Sequence, residues 1–195
     1  MRRRNFLHLF PALGLLACGV EQRSFQNKDL TAQGVTPHAD LLGGDGKPVS
    51  FEDFRGKALI IYFGYTSSPE IVPTAMRKYA SLVRNLRSKD AERVQLLFIS
   101  FDSERDTPER SHTYARLFNP GFVGLTANSP QITALVSQVG ASYTKKAAED
   151  NAAYHFEHSN DAYVVDPKGR LRLLLAADAL LEPITADLQK LLAEK

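Results

Sequence analysis

Residues 58–63 read ALIIYF, an unbroken apolar run of strand length, rich in β-branched and aromatic side chains. Neither face of such a strand tolerates water, so it belongs at the centre of a sheet covered by helices on both sides. Gly64, Tyr65 and Thr66 break the run, and Ser68-Pro69-Glu70 predicts a helix start. There Ser68 would cap free N–H groups, Pro69 suits the first helical position, and Glu70 faces the positive end of the dipole. The loop over 66–72 is thereby expected at the end of a central strand, where α/β sheets keep their chemistry.

The remaining pattern supports an α/β chain with a central mixed sheet flanked by helices. Residues 38–42 and 48–51 around Gly43-Gly44-Asp45-Gly46 predict an N-terminal β-hairpin. Apolar positions Ile71, Ala75, Tyr79, Leu82, Val83 and Leu86 fall at helical spacing, and Met76 on that helix reads as core. A second buried strand is expected over 94–101. Thr107-Pro108-Glu109 opens a helix burying Tyr114, Leu117 and Phe118, and Ser129-Pro130-Gln131 opens another, reaching about Val139. A short strand over 122–125, a loop and a strand within 154–165, a hairpin strand over 171–175 and a closing helix over 184–192 complete the alternation.

Three arginines, Arg2 to Arg4, precede an apolar run over 6–17 that is too short to span a bilayer, the layout of an export signal. Arg3-Arg4-Asn5-Phe6-Leu7 is similar to a twin-arginine signal, with Sec export the alternative. Leu15-Leu16-Ala17-Cys18 resembles a bacterial lipobox, whose cysteine would be lipidated, against a plain signal peptide or a chance cysteine. The expected organisation is a lipoprotein signal over 1–18, a flexible tether over 19–34 and one domain over 35–195. It describes an exported lipoprotein on the periplasmic face of a bacterial envelope, held by a lipid anchor. Without the three signal arginines the basic count falls from 24 to 21 against 22 acidic residues. No basic stripe remains, so no nucleic-acid partner is expected. Cys18 is the only cysteine. If it carries lipid, disulfide exchange and thiolate metal binding are closed to the mature chain.

The segments FRGKALIIYFGYT, SPEIVPT, LFISFDSERDTPE, YARLFNPGFVGLT and EHSNDAYVVDPKG, in this order, resemble the SCO/SenC family. These are thioredoxin-like, membrane-tethered proteins implicated in copper delivery to cytochrome c oxidase. The resemblance implies that fold, copper as the candidate cofactor with none assured, and partners in copper delivery or respiratory oxidase assembly; a thiol-less member is expected not to be an enzyme. Where the family has C-P-x-x-C-P-T, Ser68 and Val72 stand at the two cysteine positions, and His158 matches the metal-binding histidine. Asp102 and Asp106 match the family's D-P-x-R-D-T-P segment, with Ser103 in place of its proline. They are expected either in loop and cap bonding near Arg105 or as a partner surface. A hydroxyl ligates weakly and an isopropyl group not at all, so the soft donor set suited to Cu(I) is reduced to one imidazole. The favoured expectation is therefore an accessory binding module without thiol redox chemistry of its own.

Two alternatives rest on other residues. Cu(II) binding would use His158 with His155, Glu70 or Glu157, although on an extended strand His155 and His158 face opposite sides and only a turn brings them together. A hydrolase would use Ser68 as nucleophile. Against it, Ser68-Pro69-Glu70 repeats the helix starts at Thr107 and Ser129, and no G-x-S-x-G elbow surrounds Ser68.

Overall fold

The computed structural model describes residues 24–147 and 154–194. The expected signal segment and Cys18 lie outside them.

In chain order the elements are β1 (Lys28–Asp29), β2 (Leu41–Leu42), β3 (Pro48–Val49), β4 (Ala58–Gly64), α1 (Ile71–Asn85), α2 (Ser88–Ala91) and β5 (Val94–Ser100). There follow α3 (Pro108–Arg116), β6 (Val123–Leu125), α4 (Ser129–Val139), β7 (Tyr143–Ala147), β8 (Tyr154–His158), β9 (Ala162–Val165), β10 (Leu171–Leu175) and α5 (Leu181–Ala193). Six strands form one mixed sheet in the order β1-β10-β9-β4-β5-β6. β4, β5 and β6 run parallel, while β9 pairs antiparallel with β4.

Every residue of β4 is buried, as its composition requires. Ala58, Ile60 and Tyr62 join a core with α1 and α5, whereas Leu59, Ile61 and Phe63 join one with α4 and Phe156. The period-two alternation of a strand thus feeds both layers from one continuous apolar run. Met76 is fully buried in the first core. The expected hairpin is present as β2 and β3, paired Leu41 to Val49 around the glycine-rich turn.

Several expectations need correction. The tether over 19–34 is too long. Phe25 packs against the α1–α5 core, β1 adds an edge strand to β10, and residues 31–33 form a short 3-10 helix. Buried Asp187 of α5 holds this arm, accepting the backbone N–H groups of Gln26 and Asn27 at 2.8–3.0 Å and the Asn27 side-chain amide at 2.8 Å. β1 therefore takes the sheet edge expected of the C-terminal hairpin. The helix after β4 starts at Ile71 rather than at Ser68, and Ile71 is half exposed. Leu117, expected on the buried side of α3, is 75% exposed because it follows the last helical residue and leaves the buried stripe. Residues 154–165 hold two strands, and β8 pairs with β7, a strand the periodicity did not suggest.

Proline at the first helical turn recurs as expected. Thr107 Oγ1 accepts the N–H of Arg110 at 3.2 Å to cap α3, and the Asn128 side chain accepts that of Gln131 at 3.0 Å to cap α4.

Candidate functional site

β4 delivers the chain at Gly64 into a turn in which the N–H of Ser68 donates to the carbonyl of Tyr65 at 3.2 Å. Ser68 is buried, and its hydroxyl accepts the N–H of Val72 at 3.4 Å across the first turn of α1. The residue therefore caps, although it lies three positions before the first helical residue, Ile71. Among the described residues no hydrogen bond joins this hydroxyl to a histidine or carboxylate, so the activated nucleophile of the hydrolase alternative has no base. Val72 is 0% exposed and faces Gly64, where an added methyl would lie 2.8 Å from Val72 Cγ2. The position that would hold a second soft ligand is a packed core position.

His158 ends β8, half-buried against aromatic rings. Phe101 lies at 5.2 Å between ring centroids and Tyr65 at 6.1 Å, both edge-on. Since Tyr65 also accepts the Ser68 N–H, the fold brings the imidazole to the turn that carries Ser68. Nδ1 lies 2.9 Å from the carbonyl oxygen of Ser159, which fits a neutral ring donating from Nδ1. Nε2 is buried with no hydrogen-bond partner. Burial lowers the pKa of His158 below its ordinary value of 6.5, against a smaller upward pull from the Ser159 carbonyl. The result is an uncharged imidazole with an open lone pair, the state in which histidine ligates a metal.

The other donors do not converge on it. Tyr154, Phe156 and His158 alternate on the face of β8 turned to the protein, whereas His155 and Glu157 are exposed on the other face. Glu157 instead pairs with Lys146 at 3.4 Å. The turn that would have joined His155 to His158 is absent, because both lie in a paired strand. Glu70 is exposed at the start of α1. Among the described residues no group of three His, Cys, Asp or Glu side chains could hold a metal ion. The residues present thus offer copper one imidazole nitrogen beside a hydroxyl and an isopropyl group, which does not fit a soft three-ligand site.

Asp102 and Asp106 are each 1% exposed, so the partner-surface expectation gives way to internal bonding. Asp106 accepts the N–H of Thr66 at 2.7 Å, the Thr66 hydroxyl at 2.6 Å and the Ser100 hydroxyl at 2.6 Å. Arg110 reaches the same knot, donating to Thr66 Oγ1 at 2.8 Å and to Ser67 Oγ at 3.2 Å. Asp102 accepts the Tyr154 hydroxyl at 2.7 Å and pairs with Arg105, whose guanidinium lies 3.8 Å over the Tyr154 ring. Burial and the Asp102 carboxylate push the Tyr154 phenol upward in pKa. One aspartate braces the 64–68 turn and the other braces the strand bearing His158.

Sequence reasoning missed the aromatic wall behind His158. Phe101 and Tyr143 stack at 4.8 Å between centroids, and Tyr65 and Phe156 meet Phe101 at 5.7 and 4.9 Å. The only signal was the alternation of Tyr154, Phe156 and His158, which marks one face of a strand once β8 is recognised.

Known proteins supply an independent measure of this geometry. The SCO1/SenC family model matches residues 28–193. A protein of Stutzerimonas stutzeri named for copper binding is 29% identical over 97% of this chain and 95% of its own length. The mitochondrial SCO1 homolog 2 of Arabidopsis thaliana is 32% identical over 66% of this chain, which spans only 46% of that protein. Among solved structures, apo Sco1 of Thermus thermophilus matches with a TM-score of 0.75 and 31% identity, covering 88% of this chain and 99% of the other. ScoI of Bradyrhizobium japonicum with copper bound matches at 0.71 and 29%, covering 80% and 98%. The fold is thus the thioredoxin-like fold of the Sco proteins. Because the family model spans residues 28–193, nearly the whole described domain, this chain belongs to the SCO1/SenC family.

Proposed function

We propose that this chain is a membrane-tethered accessory module in copper handling or cytochrome c oxidase maturation, acting by protein contacts and without a thiol redox cycle. The observation that carries this reading is the pair Ser68 and Val72, a capping hydroxyl and a sealed core methyl at the family's cysteine positions. Neither can form a disulfide, shuttle electrons or release a thiolate-bound metal. The lipobox-like Leu15-Leu16-Ala17-Cys18 supports a lipid anchor, placed in the cell envelope by the export signal before it.

Titration of the purified chain with Cu(I) against a chromophoric chelator tests the reading. The chain should take no Cu(I) from the chelator, while deletion of its gene should lower oxidase activity or copper loading. Tight Cu(I) binding by the wild-type chain would overturn the ligand argument.

The unpartnered Nε2 of His158 favours a second reading. In it His158 supplies one imidazole to copper, and a partner supplies the remaining ligands. His158→Ala should then impair copper transfer only in the partner's presence.

A further inference from the structure

The surface beside the 64–68 turn has a feature that loop geometry does not require. Leu117, directly after α3, stands 75% exposed between two hollows of about 370 Å³ each. One is lined by Thr66, Arg110 and Tyr114, the other by Arg77, Ala80 and Arg84 of α1 with Phe118. The two hollows meet at Leu117, which lines both, and make up an α1–α3 groove whose lining sets Tyr114, Leu117 and Phe118 beside Arg77, Arg84 and Arg110. Arg77 and Arg84 are exposed and, among the described residues, no carboxylate pairs with either. Arg116 on α3 is likewise exposed and unpaired with a carboxylate, and Glu109 is the single acidic residue lining the two hollows. Over the whole chain basic and acidic residues are nearly balanced, at 24 and 22. A cluster of arginines around an exposed leucine is therefore a local excess, and arginine with bulky apolar residues is the chemistry of a protein-binding patch.

We propose that the α1–α3 groove docks an acidic segment of a protein partner, with a leucine or phenylalanine of that segment packing on Leu117 and Phe118. The occupant follows from charge complementarity: carboxylates meet Arg77 and Arg84, and the apolar anchor covers the exposed leucine. The inference rests on the reading that this chain works through protein contacts, and it names the chemistry of the contact. Arg110 ties the groove to Thr66 and Ser67, so a docked segment lies beside the turn that holds Ser68.

The test is fluorescence anisotropy of the full purified chain with a labelled amphipathic peptide, rich in Asp and Glu and carrying two central leucines. The wild-type chain should bind it, more weakly as salt rises. Combined Arg77→Glu and Arg84→Glu, or Leu117→Asp alone, should weaken binding about tenfold or more. A peptide with Lys in place of its acidic residues should not bind. Circular dichroism confirms that the variants fold, and the milder Arg77→Ala with Arg84→Ala should give an intermediate loss. No binding by the wild type, or equal binding by all variants, overturns the groove. Complementation of a deletion strain separates this from the parent reading. If the gene is required for oxidase or copper handling and the charge-reversal variant restores it fully, the groove falls and the reading stands. If deletion changes neither, the reading falls, and the peptide result alone judges the groove.

Discussion

The side chain of Val72 closes over the Cα of Gly64, so that a methyl built on Gly64 would come within 2.8 Å of Val72 Cγ2 and 3.1 Å of Phe98. This contact converts a ligand position into part of the core that seats α1 on β4. Gly64→Ala should therefore lower stability by about 1–3 kcal/mol through overpacking, read as a reduced urea midpoint with an unchanged slope.

Restoring sulfur at both positions should restore the family's donor set. The Ser68→Cys, Val72→Cys double variant should bind Cu(I) in a chelator competition, and adding His158→Ala should weaken that binding. Failure of the double variant to bind would mean that the turn no longer lets positions 68 and 72 converge with the imidazole.

Removing the Asp106 carboxylate leaves the Thr66 amide and the Thr66 and Ser100 hydroxyls without their acceptor. Asp106→Ala should cost about 2–4 kcal/mol, because buried donors left unsatisfied lose their solvation. Amide exchange at Thr66 and Ser68 should rise with it, while the more distant β1 edge stays protected.

The N-terminal arm can be released in the same way. Asp187→Ala should cost about 1–3 kcal/mol and expose the amides of Gln26 and Asn27 to fast exchange. Protection of those amides in the variant would show that β1 pairing, rather than Asp187, holds the arm.

His158 sets a pH dependence of stability. Its folded pKa lies below the ordinary 6.5, so above that value both the native and the unfolded ring are neutral and the full stability is present. As pH falls below 6.5 the unfolded chain takes up the proton first, and stability declines until the native midpoint is passed. NMR titration of the metal-free chain should give His158 a midpoint below 6.5, and His158→Leu should flatten the acid limb of the stability curve. A midpoint above 6.5 would contradict the buried, neutral ring.

Much of the fold could be read in the sequence because its signals are local. The continuous run of β4 demands burial on both faces, and Thr107-Pro108 and Ser129-Pro130 mark helix starts within one turn, although Asn128 rather than Ser129 supplies the cap of α4. β1 and β7 escaped notice for the opposite reason. A two-residue edge strand has no period, and β7 carries exposed lysines on both faces, Lys145 and Lys146, so no apolar alternation marks it and the pairing of both strands depends on partners far along the chain. Leu117 fits a helical stripe by spacing, but the helix ends one residue before it.

The identity of the donors was determined by the sequence alone: serine and valine where the family has thiols, one matching histidine, and a single cysteine near the N-terminus. No folding can turn those side chains into soft ligands, because ligand character is covalent chemistry. Their directions were decided by the tertiary structure. It turned His158 inward and His155 outward on one strand, sealed Val72 beneath Gly64, and buried Asp102 and Asp106 as braces. Side-chain direction depends on strand pairing and packing between distant segments, and spacing along the chain does not encode it until the pairing is known.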